Sequence, residues 1–454
     1  MKSFIVILLC SCFVTGFSQS LVDSRKQEIV FKSVNVIPMD TERVLENQDV
    51  VVKAGKITAI GATGKVKFGK EAMIIDAKGK YLMPGLAEIH AHVPPVDDIA
   101  PMKDVLTLFA VNGVTTIRGM LGHPRHIELR AKIQSGEIIG PHFYTSGPSF
   151  NGNSVKTPAE GDKMVRDQKT TGYDFLKIHP GLTLENFNAV TKTAKEVKIP
   201  YAGHVPLAVG VWRAMEAGYA SIDHMDGFIE GMTPGIETMT PEQIGFFGLF
   251  AASKADESKI PVLMKALREN HIWVVPTQCL AERWIAPDKS PDELRNAPEM
   301  KYMDLKTLDA WTENKKRQVA TPGYSEPVVT NFIRLRKKLI YECQKNGVGL
   351  LLGSDAPQVF NVPGFSIHHE LKYMVDAGLT PYEALRSGTV NVATFYHQTD
   401  RGTIKTGNIS DLILLNGNPL KDITQTTKIE GVMLENNWMG KEYIGSELKR
   451  LEKN

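Results

Sequence analysis

Short apolar segments that alternate with longer amphipathic ones dominate the middle of the chain and leave few folds open. Eight such segments fall between residues 87 and 354, and most are separated by stretches with helical periodicity. Strands that alternate with helices form parallel sheets, and eight repeats are typical of a closed (β/α)8 barrel. The predicted strands are Ala87–His92, Val114–Arg118, His142–Ser146, Phe175–His179, Tyr201–His204, Ser221–His224, Trp273–Thr277 and Gly349–Ser354.

The segments on both sides of this region have a different, all-β pattern. Residues 19–82 contain alternating apolar and polar runs with a hairpin turn at Ala54-Gly55, and residues 401–454 return to a similar pattern. We therefore predict a small β-sandwich domain built from both chain ends, with the α/β barrel of residues 83–400 inserted between them.

Residues 1–18 carry the pattern of a secretory signal peptide. Lys2 is followed by an apolar stretch and then by small residues, and the segment is too short to remain as a membrane span. We expect cleavage after Ser18 and an exported protein, either periplasmic or secreted. The alternative is a lipoprotein anchored to the membrane through Cys12, whose surroundings loosely resemble a lipoprotein cleavage site.

The composition bears on the partners of the protein. Charged residues make up 23% of the chain, the formal net charge is +2, and the basic residues are scattered rather than clustered with aromatic ones. This pattern gives no basis for a nucleic-acid partner. We expect a small-molecule substrate, which would be an amide or a dipeptide. Association with a membrane is expected only if Cys12 is lipidated, and the protein could form a homo-oligomer.

Polar side chains occur at the carboxyl ends of several predicted strands, which form the active face of a (β/α)8 barrel. His90 and His92 are two residues apart and so point to the same side of the first strand. The others are Lys177 in the fourth strand, His204 and His224 at the ends of the fifth and sixth, and Asp355 after the eighth. Imidazoles and a carboxylate suit a divalent metal, with zinc the first choice, although each residue alone could have a structural role.

These motifs closely resemble those of the amidohydrolase superfamily, over about residues 34 to 441. The motifs are Pro84–Leu86 running into His90-Ala91-His92, Phe175–Ile178, Gly203–Val205, Asp223-His224, Gly353–Ala356 and Ser410–Leu412. The branch that the chain resembles contains imidazolonepropionase-related and prolidase-like enzymes. Glu88 departs from the pattern, because the family usually has Asp two residues before the first histidine.

The resemblance implies a site with two divalent metal ions. Its ligands would be His90, His92 and Asp355 for one ion, and His204 and His224 for the other. Lys177 would be carboxylated on its side-chain nitrogen and bridge the two, because an ammonium offers no lone pair to a metal. The alternatives are an unmodified Lys177 beside a single ion and a purely structural Lys177.

The implied reaction is hydrolysis of an amide C–N bond in a dipeptide or an N-acyl amino acid. A hydroxide held between the metals would attack the carbonyl, and Asp355 would act as general base and then as general acid. In a simpler interpretation Asp355 acts only as a metal ligand and transfers no proton. Two other functions stay open: a one-metal cyclic-amide hydrolase or deaminase similar to imidazolonepropionase, and a binding protein without catalysis.

Three further residues are candidates for substrate binding. Arg118 ends the second strand and could pair with a substrate carboxylate, Tyr144 lies near the end of the third, and His368 matches a histidine common in the branch. The alternatives are a packing or supporting role for Tyr144 and a surface position at the start of a helix for His368. Two long connections, about 225–270 and 280–331, are expected to form lids or cavity walls, and their aromatic residues favour a hydrophobic substrate group.

Overall fold

The structure is a computed structural model that describes residues 21–453. The predicted signal peptide, residues 1–18 with Cys12, lies outside the described residues. Within residues 21–453, no helix is both long enough and apolar enough to cross a membrane.

Strands occur near both chain ends and as a parallel series in the middle. In chain order they are β1 (Val22–Asp23), β2 (Ile29–Val36), β3 (Leu45–Lys53), β4 (Lys56–Ala62), β5 (Met73–Asp76), β6 (Tyr81–Pro84), β7 (Leu86–Ala91), β8 (Val114–Gly119), β9 (His142–Thr145), β10 (Leu176–Ile178), β11 (Tyr201–Gly203), β12 (Ser221–Asp223), β13 (Trp273–Val275), β14 (Leu412–Leu415), β15 (Ile429–Leu434) and β16 (Asn437–Gly440).

Helices occupy the connections of the middle region and the C-terminal end. They are α1 (Ala100–Val111), α2 (Arg125–Gln134), α3 (Pro158–Thr171), α4 (Leu184–Glu196), α5 (Gly210–Ala217), α6 (Phe228–Met232), α7 (Pro241–Ile244), α8 (Ile260–Glu269), α9 (Gln278–Leu280), α10 (Pro291–Arg295), α11 (Leu305–Val319), α12 (Glu326–Lys345), α13 (Ser366–Asp376), α14 (Pro381–Ser387), α15 (Val390–Phe395) and α16 (Lys441–Leu451). Short 3-10 turns lie at Ile236–Thr238, Phe246–Gly248, Ala251–Lys254, Glu257–Lys259, Pro298–Tyr302 and Ile423–Thr427, and a π turn lies at Ala281–Ile285.

The two chain ends pair in one nine-stranded sheet. Its order is β1-β16-β15-β14-β6-β2-β3-β4, and β5 pairs with β2 outside this path. Strand β14 joins the two ends, because it lies antiparallel to β6 on one side, with Leu412 opposite Pro84, and antiparallel to β15 on the other. Phe31 of β2 and Trp438 of β16 meet edge to face in the core of this domain, with ring centroids 5.1 Å apart. Residues from both ends therefore stabilise the same small domain.

The middle strands form the barrel. Strands β7 to β9 are parallel neighbours, and so are β10 to β13. Single parallel bridges connect the groups: Ser146 to Phe175 between β9 and β10, Val274 to Leu350 after β13, and Ala91 to Ala356 back to β7. The chain thus has the predicted α/β architecture, a (β/α)8-type barrel beside a smaller β domain.

The segment predicted as the eighth strand, Gly349–Ser354, is not a regular strand. Its backbone bonds are divided among neighbours, since Leu351 N–H donates to Val274 O while Leu352 N–H donates to Ser387 O. Asp355 then adopts a left-handed φ of 63°, which ends the extended segment.

Two other details differ from the prediction. Strands β11 and β12 end one residue early, so that His204 and His224 follow their strands directly. The all-β interpretation of residues 401–454 also missed α16. Its Ile444 packs with Ala110 and Val111 of α1, which gives this helix a buried face.

Candidate metal centre

Three ligand-type side chains meet at the carboxyl end of the barrel. His92 Nε2 lies 2.7 Å from Asp355 Oδ1, and His90 Nε2 lies 3.6 Å from the same oxygen. One donor atom from each of these residues lies within 4.8 Å of the others, a spacing that a single ion can span. His90 is buried on β7, whereas His92, just past the end of that strand, keeps 20% of its side chain exposed.

The other two histidines complete the cluster. The ring centroids of His204 and His224 lie 4.4 Å apart, and those of His90 and His224 lie 4.5 Å apart. Asp355 lies between these histidines and His92, since its Oδ2 is 3.9 Å from His224 Nδ1. The structure therefore brings the predicted histidines and Asp355 together at one place.

Each of the three buried histidines has a hydrogen-bond partner at Nδ1. The pairs are His90 with Asp223 Oδ2 at 2.8 Å, His204 with Asp226 Oδ2 at 2.5 Å and His224 with Thr277 Oγ1 at 2.9 Å. Such partners fix the orientation of the ring and leave Nε2 as the donor to a metal. Within the described part of the chain, Nε2 of His224 is buried without any hydrogen-bond partner. The donor set therefore fits a divalent ion.

Burial sets the protonation state of these imidazoles. It lowers the pKa of His90, His204 and His224 well below the usual value, and the positive charge of Lys177 acts in the same direction. These imidazoles are therefore neutral at neutral pH, which is the form that binds a metal.

Lys177 lies among the ligands on β10. Its side chain is buried and its Nζ is 3.4 Å from Nε2 of His90. Burial lowers the pKa of the amine to about 8, although the carboxylates of Asp223 and Asp355 oppose this shift. The neutral amine, which is the form that reacts with carbon dioxide, is therefore accessible near neutral pH.

The structure does not bring Arg118 into contact with the cavity. Its guanidinium is buried, where Nη2 donates to Ser221 Oγ at 2.9 Å and to Asp223 at 3.1 Å, while Nε donates to Ile89 O at 2.8 Å. This geometry corrects the expectation that Arg118 binds a substrate carboxylate. Arg118 instead holds Asp223, the carboxylate that orients His90.

Tyr144 and His368 also lie away from the cluster. Tyr144 stacks on Tyr396 with ring centroids 3.9 Å apart, and its hydroxyl accepts a hydrogen bond from Gln398 at 2.8 Å. The ring nitrogens of His368 lie 3.0 Å from Thr426 Oγ1 and 3.1 Å from a backbone carbonyl. Neither side chain lines the metal cavity, and their expected contacts with a substrate stay predictions.

Glu88 has a role that the sequence did not reveal. Its carboxylate accepts hydrogen bonds from the amide and hydroxyl of Ser354, at 2.7 and 2.5 Å, and from the amide of His90 at 3.3 Å. Glu88 therefore ties the first barrel strand to the segment that carries Asp355.

His179 was also not among the predicted site residues, yet it lines the cavity, with its ring centroid 4.8 Å from that of His204. Its position two residues after Lys177 was the available signal.

A cavity of about 910 Å³ opens in front of the cluster. Its walls include Phe246 and Phe247 from the long connection after β12 and Trp284 from the one after β13. The ring of Phe247 stacks on that of His224 with centroids 5.2 Å apart, and Phe246 meets Trp284 at 4.8 Å. Both long connections thus contribute to the cavity wall, and they give it an aromatic surface.

The sequence profile of the amidohydrolase family matches residues 81–440, from the start of β6 to the end of β16. The chain therefore belongs to the amidohydrolase family.

The relatives and solved structures that resemble this chain carry the names of different enzymes. An imidazolonepropionase from Idiomarina loihiensis is 24% identical over 421 residues, which cover 88% of this chain and 93% of that protein. An adenine deaminase from Ruegeria is 36% identical over 66 residues, but these are 14% of this chain and span only 11% of the deaminase. A solved Xaa-Pro dipeptidase with bound methionine has a TM-score of 0.66 at 20% identity, covering 91% of this chain and 100% of the other; at that identity the likeness concerns the fold.

Proposed function

We propose that this protein is a metal-dependent hydrolase that cleaves the C–N bond of an amide, in a dipeptide or an N-acyl amino acid. The observation that carries the proposal is the position of Asp355 at the cavity wall. One of its oxygens lies 2.7 Å from His92 and the other 3.9 Å from His224, so a single carboxylate reaches both parts of the cluster. The similar fold of a Xaa-Pro dipeptidase favours a peptide among the amides.

We propose that the cluster holds two divalent ions, with zinc as the first choice. The residues that would hold them are His90, His92 and Asp355 for one ion and His204 and His224 for the other, with Lys177 carboxylated on Nζ between them. A carbamate on Lys177 would offer two oxygen donors and a negative charge, in place of an ammonium that repels cations. Bound metal ions would polarise the scissile carbonyl and lower the pKa of a water molecule.

Asp355 would move the protons in this reaction. Its side chain is buried among the histidines but reaches the cavity wall, where it can accept a proton from the attacking water. It would then donate that proton to the amide nitrogen, which is a poor leaving group as an anion. The aromatic side chains of Phe247 and Trp284 would keep bulk water away from this transfer.

A second candidate function is that of a one-metal enzyme that opens a cyclic amide or deaminates a ring. It is favoured by the tight grouping of His90, His92 and Asp355 and by the imidazolonepropionase match, which spans nearly all of that protein. Lys177 argues against it, because a single ion needs no bridging group. The complete ligand set argues against a binding protein without catalysis.

Metal content separates these candidates. We expect two divalent ions per chain in the wild-type protein, and hydrolysis of a dipeptide and N-acyl amino acid library that stops on metal removal and returns with Zn²⁺. Lys177→Ala should retain at most one ion and lose at least about 100-fold in activity, because the bridging ligand is gone. Labelling with ¹³C-bicarbonate should place a carbamate carbon in the wild type and none in Lys177→Ala.

Lys315 provides the matched control. It is also a buried lysine, but its Nζ donates to the carbonyls of Arg283 and Ala286. Lys315→Ala should keep both ions and the carbamate signal. One ion per chain with full activity would favour the second candidate, whereas activity that survives verified metal removal would contradict both.

We also propose that the protein is exported. The support is the residue pattern of 1–18, a charged start followed by an apolar stretch and small residues. Anchoring through Cys12 is the alternative route.

A further inference from the structure

A second cavity, of about 460 Å³, lies beside the metal cavity. Pro180, His204, Phe246 and Phe247 belong to the walls of both. A molecule bound at the metal centre therefore has a neighbouring compartment within reach, and Phe247 lines both cavities.

Most of the wall of this second cavity is apolar. Its apolar members include Val205, Leu207, Val211, Trp212, Ile236 and Ile244. The indole N–H of Trp212 donates to the carbonyl of Gly231 at 3.2 Å, so the tryptophan offers the cavity its ring alone. Leu207 is 48% exposed, which is high for a large apolar side chain. Such a wall suits an apolar group of a ligand.

Glu230 interrupts this apolar wall. It lies on α6 and lines the cavity, and its Oε2 is buried without a hydrogen-bond partner among residues 21–453. A buried acceptor without a donor is costly, and a ligand that brings an N–H group would relieve that cost. Burial raises the pKa of this carboxyl to about 7, and a cationic ligand would favour its ionised form. Glu237 also lies on the wall but is exposed.

The conformation of one turn places Phe247 between the two cavities. Phe247 has a left-handed φ of 56°, between Gly245 at 74° and Gly248 at 77°. A Cβ at Gly245 would come within 2.5 Å of the Phe250 ring, and one at Gly248 within 2.9 Å of Ile229, so the turn requires both glycines. The ring of Phe247 is thereby held against the metal cluster and the second cavity together.

From this arrangement we infer that the second cavity binds the apolar side chain and free amino group of an aminoacyl substrate, with the amine donating to Glu230. The inference rests on the proposed amide hydrolysis and narrows its substrate. A dipeptide with a free α-amino group has the donor that Glu230 lacks, whereas the acyl part of an N-acyl amino acid has none. His204 borders both cavities, which places the scissile carbonyl next to the aminoacyl group.

A matched pair of substrates tests the role of Glu230. One is a leucyl dipeptide and the other is its 4-methylpentanoyl analogue, which lacks only the amine. Glu230→Gln should lower kcat/KM for the leucyl dipeptide about tenfold or more and leave the analogue unchanged, because only the dipeptide donates a charged hydrogen bond. Glu242→Gln, which alters an exposed glutamate of the same connection outside the cavity wall, should change neither. An equal loss for both substrates in Glu230→Gln would overturn the inference.

A binding measurement separates this inference from the proposed reaction. Titration calorimetry with 2-phenylethylamine and 2-phenylethanol requires no catalysis and compares an amine with a neutral molecule of the same shape. The wild type should prefer the amine by about tenfold, and Glu230→Gln should abolish the preference. A preference that persists in Glu230→Gln places the amine elsewhere and overturns the inference. A wild type that hydrolyses no amide but binds the amine through Glu230 would support this site while the proposed hydrolysis fails.

Discussion

At the scale of single residues, Asp223 orients the metal ligand His90 through a direct hydrogen bond. It is fully buried and accepts hydrogen bonds from Ser221 Oγ at 2.7 Å and from Arg118 at 3.1 Å, while its Oδ2 lies 2.8 Å from His90 Nδ1. A buried carboxylate with this many donors is held rigidly in one orientation. Asp223 therefore fixes the ring of His90 in place before any metal binds.

Asp223→Asn should weaken metal binding by about 10- to 100-fold, because the amide loses the charge that orients His90. Competition with a chromophoric chelator measures this change. Asp411→Asn is the control, since Asp411 lies 3.0 Å from the ring nitrogen of another histidine, His142, outside the metal cavity. Unchanged metal affinity in Asp223→Asn would show that the orientation of His90 does not depend on this partner.

The same group of residues shows what the sequence could predict about the site. Side chains at the carboxyl ends of barrel strands converge on one face of the barrel, whatever their identity. The spacing of His90 and His92 and the positions of Lys177 and His204 therefore predicted that these residues share one site. The direction of a polar side chain depends on partners that the local sequence does not contain. Arg118 points inward because it donates to Asp223. This acceptor is 105 positions away in the chain, so the local sequence around Arg118 does not reveal it.

Among the larger elements, the connection after β12 is held to helix α12 by one acidic residue. Glu257 lies in the turn Glu257–Lys259 and forms ion pairs with Arg334 and with Lys338, the latter at 2.7 Å. The connection that carries Phe247 is therefore joined to the barrel by charge as well as by apolar packing.

The two ion pairs of Glu257 predict that the stability of the protein depends on pH. Hydrogen bonds from Arg334 and then Lys338 lower the pKa of Glu257 from its usual 4.5 to about 2. A carboxyl with a lowered pKa in the folded state stabilises the protein fully above its unfolded pKa. That contribution is lost as the pH falls from about 4.5 toward 2. Chemical unfolding across this range should show that the stability difference between the wild type and Glu257→Gln shrinks with falling pH. A difference that grows would contradict the assignment.

The eighth barrel segment illustrates the limits of prediction for whole elements. The run of apolar residues at 350–352 predicted a strand, and these residues are buried at the expected place in the barrel. Regular pairing fails there because the N–H of Leu352 donates to Ser387, at the end of α14, although its carbonyl accepts from Ile89 of β7. Apolar patterning determines burial, whereas the choice of hydrogen-bond partner depends on elements that arrive later in the chain.

For the molecule as a whole, the proposed export predicts a defined mature end. Expressed with its own N-terminus in a bacterium, the protein should begin at Gln19 when its mass is measured, because the small residues before it suit cleavage. Cys12→Ser should not change that mass. A lipid-modified Cys12, lost in the same variant, would support the lipoprotein alternative, and an intact chain retained in the cytoplasm would contradict export.

The position of β14 between β6 and β15 also has a consequence for the order of folding. The strands up to β6, which ends at Pro84, cannot complete their sheet until residues 412–440 are available, more than three hundred positions later. Contacts so distant in sequence form slowly. The N-terminal domain of this protein therefore stays incomplete while the chain is being synthesised. It is completed only by the strands that are made last.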